Sequence, residues 1–185
     1  LSWSHRDEDR SHVRLWNDQG RLETIYTTGT IVDARGNHLL IDRQGMELIH
    51  ATNGRRVRRL GERNAYQLEL LGDGKGHLSW NDSKVTVTRP DRDPLVIDAT
   101  ADITAVAHGE GGSLITAAED DHVRRWDLAT GEQTRDIKGD DDAHHLSLSR
   151  DGKRLAMDDP AAVWDLAQNK AIFELPLAPD SLALS

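Results

Sequence analysis

The sequence predicts an all-β chain built from repeated four-stranded antiparallel units, on three observations. The first is the phrase Asp120 to Gly131, DDHVRRWDLATG, in which an alternating run ending at Trp126 is closed by the polar turn Asp127 to Gly131. The second is recurrence. AAVWDLAQNK carries Trp164-Asp165 and SHVRLWNDQG carries Trp16, while Ile49 in MELIHATNG and Val87 in KVTVTRPDR hold the same place with an aliphatic side chain. The third is spacing: anchors at Trp16, Ile49, Val87, Trp126 and Trp164 lie 33, 38, 39 and 38 residues apart. A steady period in that range marks a repeat architecture and outranks any local assignment.

The period divides the chain into units at 1–28, 29–62, 63–100, 101–139 and 140–177, with 178–185 as a closing strand. Leu1 to Ser4, LSWS, matches LSWN at Leu78 to Asn81 and reads as a second strand, so the first unit lacks its first strand. His5 to Arg10, HRDEDR, is a polar tip of the kind that carries recognition on a rigid scaffold, and Arg21 to Thr27 supplies the outer strand. The second unit reads IVDAR, turn Gly36-Asn37, HLLIDR, turn Gln44-Gly45, MELIHAT, turn Asn53-Gly54, RRVRR. Asn-Gly predicts a two-residue hairpin because both positions tolerate positive φ.

In the third unit the glycine-rich turn Gly72 to Gly76, GDGKG, lacks the spacing and the following helix of a phosphate loop. Trp80 is expected to replace packing volume missing at Val87. The fourth unit is ITAVAH, SLITAA, HVRRWDLATG, EQTRDIKG; the fifth is HHLSLSRDGKRLAM, AAVWDLAQN, KAIFELPL, followed by LALS at Leu182 to Ser185.

These phrases resemble the WD40 repeat family, whose unit is one four-stranded antiparallel blade of a β-propeller and whose signature ends the third strand in Trp-Asp. Trp126-Asp127 and Trp164-Asp165 carry the pair, Trp16-Asn17 is close, and Ile49-His50 and Val87-Thr88 keep only the apolar half. The Gly-His half of the signature is missing, with Gly29-Thr30 and Gly139-Asp140 in comparable places. Arg150-Asp151-Gly152-Lys153 resembles the Pro-Asp-Gly-Lys turn of such repeats. The resemblance implies five blades, either closed into a ring by Leu182 to Ser185 beside Leu1 to Ser4, or part of a larger ring completed by another segment or chain. Leu1 opens inside a strand-like phrase, so a piece of a longer protein is expected. The resemblance further implies a noncatalytic scaffold or sensor module that binds a protein partner or other domains of the same polypeptide.

Composition narrows the rest. With one Phe, two Tyr and five Trp among 37% hydrophobic residues, the core must come mainly from Leu, Ile, Val and Ala. The absence of Cys removes disulfides and thiolate metal sites, and predicts a reducing, cytoplasmic setting. A net charge of −9 argues against nucleic acid as a partner, and no apolar run reaches membrane-spanning length, so neither nucleic acid nor membrane is expected.

The local exception to the acidic balance is Arg55, Arg56, Arg58 and Arg59, which with His5, Arg6, Asp7, Glu8, Asp9 and Arg10 form the candidate protein-binding residues. Their plainer role is a charged outer strand that resists edge pairing. His144-His145 with Asp142, and His122 with Asp120, invite a metal site; but neighbours on a strand point to opposite faces, and the acidic turns lack a calcium-loop pattern. No cofactor is therefore expected. No serine sits in a nucleophile elbow, so the chain reads as noncatalytic. The alternative is a hydrolase that uses acidic residues on the axial face.

Overall fold

The computed structural model describes residues 2–5, 11–16, 22–27, 29–43, 45–61, 68–72, 74–109, 111–138, 143–158, 161–174 and 184. Within them the strands form five antiparallel sheets, each ordered as a simple meander. The first sheet holds β1 (Ser2–His5), β2 (Ser11–Trp16) and β3 (Leu22–Thr27); the second β4 (Thr30–Arg35), β5 (His38–Asp42), β6 (Met46–His50) and β7 (Arg56–Gly61). The third holds β8 (Leu68–Leu70), β9 (His77–Asn81), β10 (Lys84–Arg89) and β11 (Arg92–Asp98); the fourth β12 (Ile103–His108), β13 (Ser113–Ala118), β14 (His122–Asp127) and β15 (Gln133–Lys138). The fifth holds β16 (Leu146–Leu148), β17 (Arg154–Asp158), β18 (Ala161–Asp165) and β19 (Lys170–Glu174).

Four blades are thus four-stranded rather than five, the N-terminal sheet having three strands. Among the described residues no strand pairing closes a ring. Of the tail segment Leu182 to Ser185 only Leu184 is described, and its amide donates to Ser147 Oγ on β16 at 2.9 Å.

The chain divides into two compact units, Leu1–Leu78 and Ser79–Ser185, with the boundary inside β9. In the N-terminal unit β5 is the centre: Leu39, Leu40 and Ile41 are all 0% exposed, so both faces of the strand are covered and one-sided alternation disappears. Leu39, Ile41, Ile49 and Ala51 pack on one face, and Leu40, Met46 and Leu48 pack on the other with Leu70 from the third sheet. In the C-terminal unit all six residues of β13 are buried, and one cluster joins Ile115, Ala117 and Val123 to Leu148, Leu155 and Met157 of the fifth sheet. Each fully buried Leu, Ile, Val or Met among them contributes about 1.5–3 kcal/mol. Burial fades outward. On β15 only Ile137 is buried and on β11 only Ile97.

Hydrogen bonds between sheets fall one repeat apart in sequence. Leu70 N donates to Asp33 Oδ2 at 2.8 Å across 37 residues. Arg89 Nη1 donates to the Leu128 carbonyl at 3.1 Å, and Thr104 Oγ1 to that of Ala143 at 2.6 Å, each across 39. The period of the sequence is therefore also the period of its tertiary contacts.

The anchors share a local geometry. Ile49 pairs with Leu39, Trp126 with Leu114 and Trp164 with Leu155, and each of these leucines is 0% exposed. Two residues beyond each anchor, the amides of Ala51, Leu128 and Leu166 donate at 2.9 Å to the carbonyls of Asn37, Gly112 and Lys153. The third-to-fourth strand register shifts at Leu48/Ile49, Val87/Arg89, Arg125/Trp126 and Val163/Trp164. Five residues beyond the anchor the backbone turns left-handed, at Gly54 (φ 66), Gly131 (φ 78) and Asn169 (φ 52), where Gly or Asn carries the smallest penalty. Trp16 ends β2 opposite Leu22 without a register shift.

Two expectations change, and one anchor departs from the others. Asn53-Gly54 is no two-residue hairpin: the turn spans residues 51–54, Gly54 N donates to the His50 carbonyl, and only Gly54 has positive φ. The extra residues accompany the bulge at Ile49, which a two-residue loop cannot absorb. Trp164 is half-buried and its indole Nε1 lacks an acceptor among the described residues. Met157 stands two residues beyond Leu155 where Thr116 stands two beyond Leu114, and Thr116 Oγ1 accepts the Trp126 indole N–H at 2.9 Å. Finally, His144-His145 precede the strand, which begins at Leu146 because both their amides donate to Asp158 Oδ1 instead of a ladder. Trp80 is half-buried on β9, beside the strand that carries the buried Val87.

Candidate functional site

The four arginines of the second sheet do not act as one patch. Arg56 Nη1 binds Glu47 Oε1 at 3.2 Å, and Arg43 Nη1 lies 3.7 Å from the other Glu47 oxygen, so this buried carboxylate is held between two guanidinium groups. Arg58 turns the other way because the register shift between the Leu48–Arg58 and Ile49–Arg56 pairs leaves Val57 as an extra residue and breaks the alternation of β7 there. Its Nη2 donates to the Lys75 carbonyl at 2.6 Å and to His77 Nδ1 at 3.4 Å, and its Nε is buried without an acceptor among the described residues. Burial, and then the Arg58 charge, push His77 down to about 4, which keeps the ring neutral and able to accept.

Arg55 and Arg59 remain exposed. Arg56 is exposed as well but is engaged by Glu47, and only Arg58 is half-buried. Of the polar tip, His5 ends β1, whereas Arg6, Asp7, Glu8, Asp9 and Arg10 lie outside the described residues. Arg58→Ala should destabilise the fold by about 1–3 kcal/mol, because His77 and the Lys75 carbonyl lose their donor, while Arg55→Ala should stay within about 0.5 kcal/mol of wild type. Urea unfolding of the two variants checks the difference.

The histidine pairings also differ from expectation. His122 Nδ1 meets Asp136 Oδ1 at 2.6 Å, while Asp120 takes Arg124 in a two-pronged contact of 3.0 and 2.5 Å. Arg124 is buried, and its hydrogen bonds hold the Asp120 carboxyl below the usual range. His145 Nδ1 pairs with Asp158 Oδ2 at 2.9 Å, and Asp142 lies outside the described residues. Among the described residues no group of three His, Asp or Glu side chains is placed to hold a metal ion.

Two features escaped sequence reasoning. The first is a surface cleft of about 430 Å³ in the fourth sheet, lined by Gly111, Gly112, Ser113, Arg125, Trp126, Asp127, Thr134 and Arg135. Arg125 Nη2 and Nε donate to Ser113 Oγ at 2.6 and 3.2 Å, and Arg125 lies directly opposite Arg135 across β14 and β15. The second is a carboxyl pair on neighbouring first strands, Asp33 on β4 and Glu69 on β8. Burial, and then the Asp33 charge, push Glu69 up to about 7.

The chain matches no protein-family profile and no curated protein. What stands on geometry alone is an all-β array of repeated blades with buried inner strands and exposed outer ones.

Proposed function

We propose that the chain is a noncatalytic protein-interaction scaffold or sensor module of the WD40-like kind. It holds a protein partner, or another domain of the same polypeptide, along the outer strands of its blades. One observation carries the reading: of the five exposed large hydrophobic residues among the described ones, Val57, Val96, Ile172 and Phe173 stand 43%, 56%, 48% and 58% exposed on the outer strands β7, β11 and β19, and Val32, 37% exposed, is on β4. Each of these strands is the edge of its sheet, with one side of its backbone unpaired within that sheet. Such an edge offers main-chain hydrogen bonds to an incoming segment, and the exposed apolar side chains add contact area. The arginines and acidic residues alongside them are the charges that keep such edges from pairing at random.

A photo-crosslinking amino acid at Phe173 or Val96 tests this in cells that produce the chain. The reading predicts an adduct with another polypeptide segment from both positions and none from Lys84, an exposed residue at the start of β10. No adduct at either outer strand would count against it.

A second reading, hydrolysis by acidic residues near the axis, draws support from Glu69. A carboxyl group titrating near 7 beside a second carboxylate suits general acid catalysis at neutral pH. Turnover of aryl glycosides or phosphate esters by the wild-type chain, lost in Glu69→Gln, would favour that reading over the scaffold.

A further inference from the structure

We propose that the cleft at the end of β14 is an oxyanion site that takes a phosphomonoester dianion through Arg125 and Arg135. The two residues are cross-strand partners, which puts their Cα atoms about 4.5–5.5 Å apart. Like charges directly opposite one another on adjacent strands destabilise a sheet. The nearby carboxylates offset the pair only in part, Asp127 attracting Arg125 through space. Asp136 binds His122 at 2.6 Å through one oxygen and Gln133 Nε2 at 3.3 Å through the other. Asp127, on the cleft wall, accepts from the amides of Ala129 and Thr130 at 2.7 and 3.1 Å, and forms no ion pair with either arginine among the described residues. The wall therefore carries two guanidinium groups against one carboxylate.

Preorganisation is supplied on one side of the cleft. Ser113 Oγ grips Arg125 through Nε and Nη2, which fixes the plane of the guanidinium and leaves Nη1 with no partner among the described residues. Arg135 is exposed and free to swing. A fixed and a mobile guanidinium, side by side, match the oxygens of a tetrahedral phosphomonoester. The volume of about 430 Å³ admits a phosphate with a short organic group against Trp126, Gly111 and Gly112. The shared chemistry is the phosphomonoester, carried either by a phosphorylated peptide or by a free small molecule. This site is separate from the outer-strand apolar residues and does not depend on them.

The test is calorimetric titration of the full chain with phenyl phosphate and, separately, with a phosphoserine peptide and its unphosphorylated counterpart. Saturable binding is expected for at least one phosphorylated probe. It should weaken by about tenfold or more in Arg135→Glu. Arg135→Gln serves as a second variant should the charge reversal unfold the chain, and Arg92→Glu, on the outer strand of another sheet, should leave binding unchanged. Tighter binding of the phosphopeptide identifies a peptide source, equal binding of phenyl phosphate a small molecule, and either supports the site. No saturable binding of either phosphorylated probe, equal binding of the unphosphorylated peptide, or undiminished binding by both Arg135 variants would overturn it.

Discussion

Trp126→Ala is expected to lower the unfolding free energy by about 3–5 kcal/mol. The side chain is 6% exposed, and its indole N–H donates at 2.9 Å to Thr116 Oγ1, itself 0% exposed. Truncation leaves a cavity and also strips a buried hydroxyl of its partner, two costs that act together. Trp164→Ala should cost less, about 2 kcal/mol, because that ring is half-buried and its N–H has no acceptor among the described residues. Urea unfolding of both variants and of Thr116→Val separates the contributions. Equal losses for the two tryptophans, or a loss below about 1 kcal/mol at Trp126, would contradict the packing described.

The second large effect is pH-dependent. Glu69 titrates at about 7 in the fold against 4.5 ordinarily. Between those values the folded chain keeps a proton that the unfolded chain has released, so stability falls as pH rises through that window and is flat above it. The shift corresponds to a loss of up to about 3 kcal/mol. His77 works in the opposite sense at lower pH: its pKa drops from 6.5 to about 4, so the unfolded chain takes the proton first and acidification through that range destabilises the fold. Glu69→Gln isolates the first contribution, since His77 is common to both proteins. The variant should gain on wild type by up to about 3 kcal/mol between about pH 5 and pH 8. A difference that does not change with pH would show that Glu69 is not held protonated.

The anchor spacing made the blades legible, because identical local tasks leave similar phrases: an apolar anchor, a turn, and a left-handed residue five positions on. Ile49 fits without a Trp because the opposing leucine, not the indole, is the constant partner at Ile49, Trp126 and Trp164. Turn details were less legible. The Asn53-Gly54 dipeptide suits several loops, and the bulge at Ile49 selects the longer one.

Side-chain partners between sheets were least legible of all. Asp33 meets Leu70, and Glu69 feels Asp33, at separations of one repeat, where a sequence window sees no relation. Arg58 looked like its neighbours until β7 was set beside the turn that holds Lys75 and His77. The Arg125–Arg135 juxtaposition required the register of β14 on β15, which the shift at Arg125/Trp126 obscures.

Native-state hydrogen exchange tests the central claim most directly, namely that buried inner strands carry outer strands whose free edges are available for docking. Amides of Leu39 to Ile41, Leu114 to Thr116 and Leu155 to Met157 should exchange slowest, near the limit set by global unfolding, as should those of Ala51, Leu128 and Leu166. Amides of β7, β11, β15 and β19 should exchange faster by local opening, since each strand pairs on one side only within its sheet. Outer strands as protected as β5, β13 and β17 in the isolated chain would mean that their edges are already covered, and the docking account would fail.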